Sequence, residues 1–396
     1  MAAKNFSRRD FCAAIGAGTI ALPMALHSDI LATPQNRDLL LYVGTYTNGN
    51  SEGVYVYRMN TSTGELKRVS VTGGVRNPSF IALAPNRRNF YAVSEVNNFN
   101  GQTTGGIAAF EVNQKSGELK LLNQQTSVGR GPCYISVSKN GKYALTANYG
   151  SGTLAVLPIN PDGTLGAPSD SAQHGGTTGP NRTRQEGPHA HCLLLDAANK
   201  YVFAPDLGID KVMIYKFDAK RGKLTPNTQP FYQTKPGAGP RHFTFHKNGK
   251  LAFVINELDS TISSLEYNAA QGTLKELNTI STLPQDFTGS NTCADIHVHP
   301  NGKFVYGSNR GHDSIAVFSL DEKTGKLSFV EAVSTQGKTP RNFAIDPSGT
   351  FLLAANQNTH NIVVFKIDPQ TGKLTPTGQV AETPSPVCLK FTQAFS

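Results

Sequence analysis

The sequence contains no tryptophan. Neither the Trp-Asp repeat nor the usual kelch pattern can be written without it. Charge is sparse, at 16% of 396 residues. The lysines and arginines behind the formal net charge of +9 are scattered, with no basic run or basic helix. A nucleic-acid partner is therefore not expected, whereas an anionic small ligand suits the surplus. No window beyond residue 32 is long and apolar enough to span a bilayer, and no Gly-x-Ser-x-Gly elbow occurs. What the chain has in quantity is turn residues, 38 Gly and 23 Pro, as expected of many short strands.

The first 32 residues stand apart. Ser7-Arg8-Arg9-Asp10-Phe11 precedes an Ala- and Gly-rich apolar stretch from Cys12 to Leu26. Paired arginines before a mildly hydrophobic segment read as a twin-arginine export signal; a short N-terminal anchor is the alternative. The expected organisation is a signal peptide over 1–32 and one domain over 33–396. The mature protein is expected to be periplasmic or secreted and free of stable membrane association.

Beyond the leader the chain repeats itself. Turns of the type Ser/Thr/Asp-Gly-x-Leu, or near variants, place Gly at 64, 117, 163, 222, 272, 325 and 372. Between 14 and 25 residues after each comes a Pro, or Cys293 in its place, opening an alternating strand. A second strand, a third and the next Gly-x-Leu turn follow. Four strands recurring about every fifty residues predict an all-β, seven-bladed β-propeller with four antiparallel strands per blade. The last repeat stops after one strand, and the N-terminal segment has three to spare, Leu39–Thr45, Gly53–Met59 and Glu65–Thr72. Pairing 386–391 with 39–45 closes the ring.

Cysteine is scarce too. Cys12 belongs to the leader, and Cys133, Cys192, Cys293 and Cys388 fall near the starts of predicted inner strands in four repeats. An even count in an exported chain invites disulfides, but equal depth in separate repeats favours free thiols acting as small hydrophobes.

The clearest hairpin runs from Gly239 to Glu257 about a Lys-Asn-Gly-Lys turn. Arg241 and Glu257 lie equally far from its centre and are expected to face one another at the open end. Aligned on this hairpin, the repeats bring the first inner-strand residues Ser79, Cys133, His191, Arg241, Ala294, Arg341 and Val387 to one funnel mouth. Around the second-strand ends lie Glu95, Asn148, Asp206, Asn256-Glu257, Asn309-Arg310 and Asn356. Long polar loops, 97–106 and 166–187, emerge on the same rim. His297-x-His299 has the look of a metal pair with Asp295 nearby, but no third ligand is evident and the segment reads as a regular inner strand; no metal and no cofactor are expected.

Gly239-Pro240-Arg241-His242, Asn256-Glu257-Leu258, Asp295 to Gly302 and Ser308 to Ser314 together resemble the lactonase family of seven-bladed propellers. That family includes the propeller-type 6-phosphogluconolactonases and the carboxymuconate lactonising enzymes. The resemblance spans nearly all of residues 38–393. It implies a catalytic set of His191, Arg241, Glu257 and Arg310, with His189, His242, Arg341, Asn256 and Asn309 as substrate-binding candidates. Pro188-His189-Ala190-His191 leaves the histidine open, the repeat register favouring His191.

A lactone hydrolase needs a base for water, donors for an oxyanion and a clamp for an anionic tail. Either Glu257 or His191 could be the base. An arginine beside Glu257 would lower its pKa, which favours His191. The expected partner is a small anionic lactone, the expected state a monomer. Hydrolysis of a 6-phosphogluconolactone-like sugar lactone is the first expectation. The alternatives are a lactonising cycloisomerase, or a propeller that only binds its acid; in the plainest reading Arg241 and Glu257 merely tie a hairpin.

Overall fold

The computed structural model describes residues 38–394. Its regular elements are 28 strands, arranged as seven antiparallel four-stranded sheets. The innermost strands, in ring order, are Pro386–Gln393, Ile81–Leu83, Pro132–Val137, Leu194–Leu195, Pro240–Phe245, Thr292–Val298 and Pro340–Ile345. The ring closes as the repeat count predicts: Leu39 pairs with Gln393 and Thr45 with Pro386, in a blade completed by Val54–Met59 and Leu66–Thr72.

The second strands explain why the sequence reads as apolar runs there. Leu251–Asn256 and Tyr201–Asp206 are buried at every position, because each lies between two neighbouring blades. Outermost strands such as Lys223–Gln233 are largely exposed. Rings seal the seams: Phe203 stacks on Phe243 of the next blade at 5.3 Å, and Tyr42 meets Phe90 at 5.1 Å. Each such fully buried ring contributes roughly 1.5–3 kcal/mol.

The Gly-x-Leu signature has a packing cause. The Tyr42 hydroxyl donates to the Gly117 carbonyl at 2.8 Å, Tyr91 to Gly163 at 3.0 Å and Tyr306 to Gly372 at 2.8 Å. The turn of one blade is thereby tied to a second strand of another. At Gly272 the backbone has φ +66° and a Cβ would stand 2.3 Å from the Tyr201 ring, so only glycine fits.

Three blades depart from the repeat. In the second, the inner strand expected from Pro78 is reduced to Ile81–Leu83. In the third, the outermost strand shrinks to Asp170–Gln173, inside what reads as loop. In the fourth, the expected inner strand from Pro188 is reduced to Leu194–Leu195. Asp206 takes over part of the ladder there, accepting from the His189 and Gly208 amides at 2.7 and 3.0 Å while its other oxygen meets His174 Nδ1 at 2.7 Å. His189 and His191 thus precede the strand they were expected to begin.

The twin-arginine segment and Cys12 lie outside the described residues. Cys133, Cys192, Cys293 and Cys388 are buried free thiols.

Candidate active site

The funnel mouth is built by a repeated irregularity. In five inner strands the ladder slips by one residue at the mouth, leaving Cys133, Arg241, Arg341 and Val387 unpaired, and Ala294-Asp295 opposite the single residue Ser308. A bulge re-aims its extra residue, and here that residue faces the axis beside its successor. This corrects the hairpin register: Arg241 is the bulged residue, and the Glu257 amide donates to Gly239 O at 2.7 Å rather than lying across from Arg241. The two side chains still meet, Arg241 Nε standing 2.8 Å from Glu257 Oε2.

A second ring comes from the ends of five second strands: Tyr46, Glu95, Tyr149 and Glu257 stand just past theirs, and Arg310 is the last residue of Phe304–Arg310. The preceding residue points the other way, as alternation along a strand requires. Asn256 Nδ2 donates to Thr261 Oγ1 at 2.9 Å, and Asn309 Nδ2 donates to Thr282 O at 3.0 Å. Both asparagines fasten the fold and line neither cavity at the mouth.

The mouth encloses about 240 Å³ among Glu95, Tyr149, Arg184, His191, Glu257, Arg310 and Arg341. A narrow extension below it reaches Ser79, Phe80, Arg241, His242 and Val387. Phe80 and Tyr134 stack at 4.2 Å and set their edges against His242, forming a floor. A larger cleft of about 720 Å³ opens between the first and last blades around Asn48, Thr359 and Ser385, but the convergent guanidinium and imidazole groups lie in the mouth instead.

Three arginines hold Glu257. Arg241 and Arg310 share Oε2, the latter at 3.0 Å, while Arg184 Nη2 donates to Oε1 at 2.5 Å. Burial alone would raise the Glu257 carboxyl; Arg310, Arg241 and Arg184 outweigh it and hold it down at about 2. It is therefore a permanent anion and a poor proton acceptor. Arg310 also donates to Cys293 O at 2.9 Å, and Arg241 Nη1 donates to Ala294 O. Burial, Arg310 and Arg341 push Arg241 down to about 10, which leaves it cationic at neutral pH.

Behind Arg241 runs a chain of polar contacts. The His242 Nδ1–H donates to Asp295 Oδ1 at 2.7 Å, leaving Nε2 to accept from Arg241 at 3.2 Å. His297 Nε2 donates to the other Asp295 oxygen at 2.9 Å, and Asn342 donates there as well. Burial and the Arg241 charge bring His242 down to about 4, so it is a neutral acceptor. His299 faces elsewhere, donating to Gly349 O at 2.8 Å; the two histidines of the His-x-His segment serve different partners.

His191 lies against the Tyr149 and His242 ring edges, each at 5.4 Å, with Cys133 Sγ 3.7 Å from its Nδ1. Burial, then Arg241, His242 and Arg341, hold its pKa well below the usual value, so it is neutral. The Cys133 thiol is pushed well up by burial and is no thiolate nucleophile. His189 stands behind the wall, stacked on Tyr149 at 4.3 Å and donating to its carbonyl at 2.9 Å.

His191, Arg241, Glu257, Arg310, Arg341 and His242 are thus brought to one site, while His189, Asn256 and Asn309 are set behind it. Sequence reasoning passed over Arg184 and Tyr149, and placed Glu95 on the rim without a role. Tyr149 and Glu95 share the position of Glu257 in their repeats, which was the available signal; Arg184 comes from a long loop and had none beyond the loop itself. The site carries four guanidiniums, those of Arg184, Arg241, Arg310 and Arg341, against the carboxylates of Glu95 and Glu257.

Comparison with known proteins gives the family and the fold. Residues 40–391 match the family described as Lactonase, 7-bladed beta-propeller. A 6-phosphogluconolactonase of Bacillus subtilis is 43% identical over 350 residues, covering 88% of this chain and 97% of that protein. One of Formosa agariphila, with the same name, is 38% identical over 309 residues, 77% and 85% of the two chains. Among solved structures, the periplasmic gluconolactonase of Pseudomonas aeruginosa superposes with a TM-score of 0.85 at 34% identity, covering 90% of this chain and 99% of that one.

Proposed function

The chain belongs to the lactonase family of seven-bladed β-propellers, and from that premise we propose that it hydrolyses an anionic sugar lactone of the 6-phosphogluconolactone type to the open acid. The observation that carries the reading is the mouth itself. One saturated carboxylate fixes three guanidiniums around a neutral imidazole, and Arg341 remains with no carboxylate within ion-pair distance among the described residues.

In this reading Arg341, which lies over the Tyr46 ring at 5.5 Å, takes the anionic tail. Arg310, backed by Arg241, faces the carbonyl oxygen as it gains charge. His191 removes a proton from water as its oxygen bonds to the carbonyl carbon. When the ring C–O bond breaks, the same proton passes from His191 to the departing oxygen. Glu257 orients and never titrates. Burial, and after it the charges of Arg241 and Arg341, depress His191, and a bound anion, by offsetting the two cations, makes it a better base when substrate is present.

The test is acid release from 6-phosphoglucono-δ-lactone and from glucono-δ-lactone, followed by pH-stat. The phosphorylated substrate is expected to have the higher kcat/KM, by roughly 10–100-fold for one charge-assisted contact. Arg341→Ala should erase that preference. Absence of acid release from either lactone would end the proposal. Names of the relatives favour hydrolysis over ring closure by a cycloisomerase.

We also propose export by the twin-arginine route, which the Ser7-Arg8-Arg9 leader supports. Replacing Arg8 and Arg9 by Lys should leave the protein folded and active in the cytoplasm; unchanged recovery outside it would refute the route.

A further inference from the structure

The mouth holds two carboxylates in opposite circumstances. Glu257 is saturated by arginines. Glu95 has no ion pair with a cation among the described residues; neutral hydroxyls hold it instead. The Tyr46 hydroxyl donates to both of its oxygens, at 3.1 and 3.0 Å, and Ser79 Oγ donates to Oε2. Its backbone is pinned as well, the Glu95 amide donating to Asn77 O at 3.1 Å and the Asn77 side-chain amide to Glu95 O at 3.3 Å. A carboxylate offers about four lone-pair directions. The shared Tyr46 contact and Ser79 occupy those of Oε2 and one of Oε1, which leaves Oε1 an acceptor. Glu95 borders both the mouth and its narrow extension, beside Arg341.

An anion bound by Arg341 cannot be what Glu95 recognises, since two negative charges repel. A neutral donor can. The ring hydroxyls of a sugar lactone are such donors, and they lie next to the tail that Arg341 would hold. From this geometry we infer that Glu95, fixed by Tyr46 and Ser79, is a specificity-determining residue that accepts a hydrogen bond from a ring hydroxyl and so selects polyhydroxylated lactones over plain ones. The inference rests on the lactonase reading. It adds a discrimination that the chemistry of ring opening does not require, because no ring hydroxyl takes part in lactone hydrolysis.

The experiment compares glucono-δ-lactone with δ-valerolactone, which has the same ring and no hydroxyls, on the wild type, Glu95→Gln and Tyr46→Phe. Glu95→Gln should lower kcat/KM for glucono-δ-lactone by roughly 10–100-fold, the scale of a hydrogen bond to a charged group, and change that for δ-valerolactone by less than about twofold. Tyr46→Phe, which keeps the carboxylate but frees it, should show the same selectivity to a smaller degree and serves if Glu95→Gln fails to fold. Equal losses on both lactones would place Glu95 in the shared chemistry and overturn the inference. So would no loss on either. If the wild type hydrolyses neither, the lactonase reading fails by itself, and calorimetric binding of D-gluconate against 5-hydroxypentanoate decides for Glu95: a variant that weakens both acids alike, or neither, refutes its role.

Discussion

A carboxylate taken out of water loses several kcal/mol of hydration, and it stays ionised only where cations or hydrogen-bond donors replace the solvent. Glu257 meets that condition three times over, and its pKa of about 2 against an ordinary 4.5 fixes a pH dependence. The folded state holds the ionised form more tightly than the unfolded chain does. It therefore gains stability above pH 4.5, about 3 kcal/mol by linkage, and loses it as the pH falls from 4.5 toward 2. His242, at about 4 against 6.5, has the same sign in a higher window. The unfolded chain binds a proton below pH 6.5 that the folded one refuses until about pH 4, so stability also falls across that interval. Urea unfolding as a function of pH should show both slopes. His242→Gln should reduce the upper one, to which the buried His191 also contributes, and Glu257→Gln the lower, whatever each does to stability at pH 7. If both variants kept the wild-type slope, the charges in the mouth would not be arranged as described.

At the scale of elements, the strands and turns were largely legible and the bulges were not. The Gly-x-Leu turns announce themselves because φ and close packing demand the same residue. Gly272 and Gly249 separate the two demands. Both have positive φ, but a Cβ at Gly249 meets nothing within 4 Å, whereas at Gly272 it stands 2.3 Å from the Tyr201 ring. Gly249→Ala should cost only the conformational strain, about 1 kcal/mol, and Gly272→Ala clearly more, since the ring and the strand beneath it must shift. Equal losses in chemical denaturation would mean that the turn is not seated against the neighbouring blade.

Bulges leave no such mark. Equal spacing about the Asn-Gly turn put Arg241 opposite Glu257, and only the slip after Pro240 gives Arg241 an unpaired place facing the axis. The same slip hid the difference between Asn256 and Glu257. Both end the strand in sequence, yet one secures Thr261 and the other faces the cavity. Arg184 reaches Glu257 from 73 residues away in the chain. Its place depends on the buried Gln185 beside it, which donates to Leu207 O and Asp210 Oδ1 at 2.8 Å each, and no local pattern encodes that anchorage.

At the scale of the whole molecule, the mouth exists only because the ring is shut. Its seven inner strands share one axis, and the last of them, Pro386–Gln393, comes from the far end of the chain to pair along the full length of Leu39–Thr45. That strand contributes Val387 to the extension below the mouth, and its Leu389 amide donates to Asn342 Oδ1 at 2.7 Å. Asn342 in turn donates to Asp295, which fixes His242 and through it Arg241. Ending the chain after Thr383 removes all of this at once. Leu39–Thr45, buried at every position, becomes an unpaired apolar edge, the kind of surface that recruits other chains. The truncated protein should lose its sharp thermal transition, aggregate, and show no lactone turnover. A truncated chain that melted as cooperatively as the full-length protein would mean that six blades and a partial seventh suffice. The closing strand would then be needed for the site alone, through Val387 and Asn342, and activity rather than folding would be the property it confers.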